Sequence, residues 1–150
     1  MVSFIEIIKR LIPGDYDTMT GHPDAPERFK EFVEEVKSKI PELRGREDWD
    51  VESTVIEAVE WTIGKLCKPL RTREFTVPDY SEFAGLYECF HSDIGKFYLV
   101  LNEESDAASG YGYLGFSLTR NRDEARETYR EFEEEIEEKE RRAYGEEEEW

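Results

Sequence analysis

From residue 73 to residue 118 the sequence abandons helical spacing. REFTVP, GLYECFH, KFYLVLN and GYGYLGFSL are runs of aromatic and branched residues set apart by short polar breaks, which is the rhythm of β-strands. A chain with such a block in its second half must build a sheet, and the flanking segments must cover it. SDIG, at 92–95, supplies a turn between the second and third runs. These features predict a small antiparallel sheet of three or four strands. One stretch admits two readings. Asp79-Tyr80-Ser81-Glu82 has the pattern of a helix-capping box, and Tyr80, Phe83, Ala84, Tyr87 and Phe90 fit one helical stripe. We take the hairpin reading and keep the helix as the alternative.

The flanks carry helical signals. Ser3-Phe4-Ile5-Glu6 is a capping box, and Phe4, Ile8 and Leu11 follow on one stripe until Pro13-Gly14 ends it. Residues 13–25, PGDYDTMTGHPDA, read as a polar loop that closes on a second box, Asp24-x-x-Glu27. Phe29, Phe32, Val33, Val36 and Ile40 then recur at helical spacing up to Pro41. Val51, Val55, Ile56, Val59, Ile63 and Leu66 give a third helix a wide apolar face, with Pro69 as its stop. Asn121-x-x-Glu124 opens a last helix. Its stripe is Ala125, Tyr129, Phe132 and Ile136, its surface carries the pairs Glu135–Lys139, Glu137–Arg141 and Glu138–Arg142, and Gly145 is its expected end. The expected fold is α+β: N-terminal helices, a small antiparallel sheet, and a long C-terminal helix packed on it. Residues 1–144 make one domain and 145–150 an acidic tail.

At 150 residues one core suffices without disulfides or metal. The opening MVSFIEIIKRLI is too short to span a bilayer and lacks a cleavage site, so the expectation is a soluble, cytoplasmic protein without a membrane partner. The chain has no Gln and two Asn, with charges dominated by Glu, Lys and Arg, a bias that points to a thermophile, since the rival, a salt-adapted acidic proteome, would favour Asp more and Lys and Arg less. Cys67 and Cys89 have no metal spacing and are expected as buried thiols, with a disulfide as the alternative if the source is hyperthermophilic. Net charge is −17, divided as −4 over residues 1–75 and −13 over residues 76–150. Such a field repels nucleic-acid phosphates and anionic membranes and suits basic protein surfaces and cations.

Two constellations carry candidate chemistry. In SGYGYLGF, 109–116, Tyr111 and Tyr113 share one side of a strand and Leu114, Phe116 and Leu118 the other; Arg120, Arg122, Arg126 and Arg130 follow, three of them four apart. The stretch resembles the aromatic signature of the RNA-recognition motif, with Ser109 in place of its basic first residue. That resemblance implies a stacking platform, Tyr111 and Tyr113, beside phosphate ligands Arg120, Arg122 and Arg126. The plainer reading is a core strand whose glycines let another element approach closely.

Glu31, Glu34 and Glu35 on one helix and Glu57 and Glu60 on the next are one turn apart within each set. Paired carboxylates of this kind suit Mg2+, which takes oxygen ligands and keeps waters for a substrate's phosphates. The spacing resembles the EExxE and ExxD motifs of the all-helical nucleoside-triphosphate pyrophosphohydrolases, with Ser38 where the third Glu stands and Glu60 in place of Asp. The plainer reading is solvated helix faces. The loop residues Asp15, Asp17, His22 and Asp24, and the pair Cys89 and His91, are read as turn and strand chemistry rather than as sites.

The sequence therefore favours binding over catalysis, without a cofactor. The partner is a basic protein surface or a second copy in a homodimer, and inhibition by nucleic-acid mimicry is a stronger form of the same idea. Trp49, Trp61 and Trp150 are candidate contact residues. An Mg-dependent nucleotide hydrolase and a nucleotide or RNA module are the alternatives.

Overall fold

The structure is a computed structural model, and it describes residues 2–20 and 25–148. The chain runs α1 (Phe4–Leu11), β1 (Gly14–Thr20), α2 (Ala25–Lys39), a 3-10 turn at Pro41–Leu43, α3 (Asp48–Leu66), β2 (Cys67–Val77), β3 (Tyr80–His91), β4 (Gly95–Asp106), β5 (Tyr111–Thr119) and α4 (Arg122–Glu148). The α+β expectation holds, with one more strand than expected. Five strands form a single sheet in the order β1-β5-β4-β3-β2, every neighbouring pair antiparallel. Residues 80–91 are strand β3, so the hairpin reading is the right one.

The extra strand comes from the segment expected to be a loop. In β1, Tyr16 and Thr18 turn inward and are 2% and 3% exposed, while Asp15 and Asp17 alternate outward. That is a period-two pattern built from turn-forming residues. Its anchor is Tyr16, whose ring stacks on Phe116 at 5.1 Å and whose hydroxyl donates to the Leu11 carbonyl at 2.6 Å. The Lys39 ammonium donates to the same hydroxyl at 2.7 Å and ties α2 to the strand.

Helix ends follow their caps more closely than their prolines. The Ser3 hydroxyl accepts from the Glu6 backbone N–H at 3.2 Å, as the capping box requires. Asn121 caps α4 by accepting from the N–H groups of Asp123 and Glu124 at 2.9 and 3.1 Å. Helix α3 stops at Leu66, and Pro69 lies inside β2 instead of ending the helix. Strand β2 is an edge, and the register shifts between Pro69 and Arg71, where a missing N–H costs no ladder bond. Helix α4 continues through Gly145 to Glu148, so the expected stop there is absent.

The two faces of the sheet bury separate cores. On one face α1, α2 and α3 pack Ile7, Leu11, Val36, Ile40, Val55 and Val59 against Phe97, Leu99, Phe116 and Leu118. On the other, α4 lays Ala125, Tyr129 and Ile136 over Phe75, Leu86, Tyr98 and Val100. Cys67 and Cys89, directly opposed across β2 and β3, form a disulfide rather than the expected free thiols. No described helix is long and apolar enough to cross a membrane.

One buried charge pair fastens α4. The Glu82 carboxylate has no exposed surface, and it is held by Lys139 from α4, by the Tyr80 hydroxyl at 2.8 Å and by the Asn102 amide at 3.1 Å. Burial alone would lower the Lys139 ammonium, but hydrogen bonds to Glu82 and Tyr80 outweigh it and hold the group above its ordinary range. Arg71–Glu133 at 2.9 Å and Arg73–Glu140 at 2.5 Å stitch the same helix to β2. Removing Lys139 strands a carboxylate without its counter-charge. Lys139→Met should therefore lower unfolding free energy by about 3 kcal/mol in urea titration, and adding Glu82→Gln should recover part of that loss.

Candidate functional site

The glycines of SGYGYLGF make room, but for a different neighbour than expected. A side-chain carbon built on Gly115 would collide with the Tyr113 ring, because that ring lies flat along its own strand. Gly85 in β3 accommodates Tyr87 in the same way. The glycine–tyrosine alternation is thus a packing device within each strand. Leu114, Phe116 and Leu118 face the core with the three N-terminal helices, as the alternation predicts.

The Tyr113 hydroxyl donates to Asp17 across the β1–β5 ladder at 2.7 Å. Burial pushes its phenol far above the ordinary range, with the Asp17 carboxylate adding to the rise. A tyrosine held by one carboxylate and flanked by Glu104 is poorly placed to stack a base between phosphates. The Tyr111 side chain lies outside the described residues.

The arginines expected to serve that platform stand elsewhere. Tyr113 is paired with Glu104, whereas Leu86, beside Arg122 and Arg126, is paired with Val100. Four residues of β4 separate the two positions, about 13 Å along the strand, with two strand spacings across. Arg120 is committed to the fold: its guanidinium donates to the Ile94 carbonyl at 2.6 Å and braces the β3–β4 turn.

The five carboxylates considered for Mg2+ are all exposed: Glu31, Glu34 and Glu35 on α2, and Glu57 and Glu60 on α3. Glu35 sits 3.4 Å from Lys39. Among the described residues, no three His, Cys, Asp or Glu side chains are grouped so as to hold a metal ion. Asp15 and Asp17 lie on β1, while His22 and Asp24 fall outside the described residues. Cys89 is in the disulfide, which removes the thiolate–imidazole pairing, and His91 accepts from the Asp93 N–H at 3.0 Å. Trp61 packs on Phe4 at 5.9 Å, Trp49 is 68% exposed, and Trp150 is outside the described residues.

Glu60 does belong to a concave site, one that its sequence neighbours do not reveal. Helix α3 covers the sheet incompletely and leaves a groove of about 500 Å3 over the far ends of β3, β4 and β5. Its apolar surface comes from Ile56, Phe83 and Leu114, and carboxylates of Glu60, Glu74 and Glu103 stand around it. Glu103 keeps part of its surface in water, yet burial pushes its carboxyl above the ordinary range, and the charge of Glu60 pushes the same way. Sequence reasoning missed Glu74 and Glu103 because they sit on strands remote in sequence from α3; only the register of the sheet brings them together.

A second concavity, on the α4 face, is lined by Leu70, Arg71, Leu86, Arg122, Arg126, Tyr129, Arg130 and Glu133. A third surface is acidic: Glu131, Glu134, Glu135, Glu137 and Glu138 surround Arg141 along the outer side of α4. Of the pairs expected on this helix, Glu138–Arg142 closes at 2.6 Å, whereas Lys139 turns to the sheet. Burial raises the Glu135 carboxyl, helped by Glu82 against the pull of Lys139.

Comparison of the chain with family models, curated proteins and solved structures finds no match. The tyrosine-on-glycine packing is directly testable. Gly85→Ala should destabilise the fold by about 2 kcal/mol, since Tyr87 is 8% exposed and has little room to retreat. Gly115→Ala should cost less, because the half-exposed Tyr113 can swing outward at the loss of its Asp17 bond.

Proposed function

We propose that this protein works by binding a basic segment of a partner protein, with the groove between α3 and the sheet receiving a lysine or arginine side chain. The observation that carries this reading is the Glu103 carboxyl, raised by burial and by the charge of Glu60 beside it. A carboxylate whose charged form is disfavoured by burial and by a neighbouring like charge is stabilised by an incoming cation. The walls of Ile56, Phe83 and Leu114 suit the aliphatic stem of such a side chain, and Glu60, Glu74 and Glu103 suit its charged head. The overall charge of −17 supports the reading at longer range by steering basic surfaces toward the molecule.

A titration of a fluorescent lysine- and arginine-rich peptide tests it. Binding should be measurable in 50 mM salt, weaken strongly in 500 mM, and fall by about tenfold in the double variant Glu60→Gln/Glu103→Gln. No binding at low salt, or binding indifferent to both substitutions, overturns it. Sedimentation in the same buffers separates this reading from self-association, which would shift the mass without peptide.

The free protein should show the cost of the empty groove. A carboxyl whose folded value is raised binds its proton more tightly in the native state, so stability declines as pH rises through that value. Glu103→Gln should accordingly raise the unfolding midpoint at pH 7. The gain should vanish below about pH 4, where the carboxyl is protonated in both states.

A further inference from the structure

The concavity beside the first half of α4 has the opposite chemistry to the rest of the surface. Arg122, Arg126 and Arg130 recur four residues apart and line it with Arg71 from β2. Glu124, Glu127 and Glu131 lie on the other side of the helix, against β1 and β5. The helix therefore sorts its charges instead of interleaving them. None of the three helix arginines forms an ion pair with a described residue, although 37 acidic side chains are present in the chain. Arg122 acts on Glu88 only weakly, behind Lys96 and Lys68. Like charges four apart oppose helix formation, so the stripe is a local cost in the free protein.

The floor supplies an independent sign of a missing ligand. Tyr129 is 3% exposed and its buried hydroxyl makes no hydrogen bond. The Glu133 carboxylate stands near it and is ion-paired with Arg71 at 2.9 Å. Burial pushes the phenol up to about 12, with Glu133 adding to the rise. The group is a proton donor at neutral pH. A buried donor without an acceptor is costly, and this one belongs to a residue that lines the arginine-rich hollow. Leu86 and the half-exposed Leu70 give the hollow an apolar wall, and its volume of about 420 Å3 suits a small organic molecule.

We propose that this hollow is a binding site for a small phosphate monoester, with the phosphoryl oxygens on Arg122, Arg126 and Arg130, the Tyr129 hydroxyl donating to one of them, and the ester's apolar body against Leu70 and Leu86. Guanidinium forks match phosphate oxygens in pairs, which a point charge cannot do. The site lies on the opposite face of the sheet from the acidic groove, so it stands or falls separately from the partner reading.

Titration calorimetry with phenyl phosphate, inorganic phosphate and benzoate tests it on the full chain. Phenyl phosphate should bind saturably, inorganic phosphate about tenfold more weakly for lack of the apolar contact, and benzoate more weakly than phenyl phosphate for lack of the second charge. Arg122→Gln/Arg126→Gln should weaken phenyl phosphate by at least tenfold, and Tyr129→Phe by about fivefold. Both arginines are exposed, and Tyr129→Phe keeps the packed ring, so unfolding midpoints no lower than that of the parent chain confirm intact variants. No saturation by millimolar phenyl phosphate, binding unaffected by the paired arginine change, or tighter binding of a single-stranded oligonucleotide overturns the proposal.

Discussion

A carboxylate with no solvent access sits near the start of β3, and the placement of α4 depends on it. Lys139 supplies the counter-charge of Glu82, with Tyr80 and Asn102 completing the hydrogen bonds of its carboxylate. Because Lys139 lies more than four turns along α4, this contact fixes the far half of the helix on the sheet. The near half is fixed by Asn121 and by Ala125 and Tyr129 in the apolar seam. Charge thus sets the position of a helix whose buried stripe is narrow, and that position aligns Arg122, Arg126 and Arg130 with Arg71 of the edge strand.

The opposite face works by apolar contact. Three helices bury a continuous aliphatic and aromatic layer, yet α3 leaves the distal ends of the strands uncovered. The molecule consequently carries two concavities of contrary charge, one on each side of a single sheet. Their occupants are expected to differ as the walls do: a cation with an aliphatic stem on one side, an anion with an apolar body on the other.

Much of the fold was legible because its signals are local. The capping residues Ser3 and Asn121, the helical spacing of Phe32, Val36 and Ile40, and the alternation of Leu114, Phe116 and Leu118 act within a turn or along a strand. What escaped depends on partners distant in sequence. β1 reads as a loop because Asp15 and Asp17 are turn formers, and only pairing with β5 makes their alternation a strand. The Cys67–Cys89 disulfide needed the register of β2 on β3. At the sites, Arg122 and Arg126 were visible as a basic stripe, but Arg71 and Leu86 join them only through the docking of α4. Glu60 was noticed with the wrong companions, since Glu74 and Glu103 reach it from two different strands.

The bulge at Pro69 has a consequence for how this sheet meets others of its kind. Pro69 withholds a donor and the register slip turns Leu70 away from the ladder, while Lys68 and Arg71 set cations along the rest of that border. At the other margin β1 is short and presents Asp15 and Asp17. A stray extended chain finds on neither side the long, flat, unbroken template that fibril growth demands, so a five-stranded sheet with two open margins can stay discrete at high concentration.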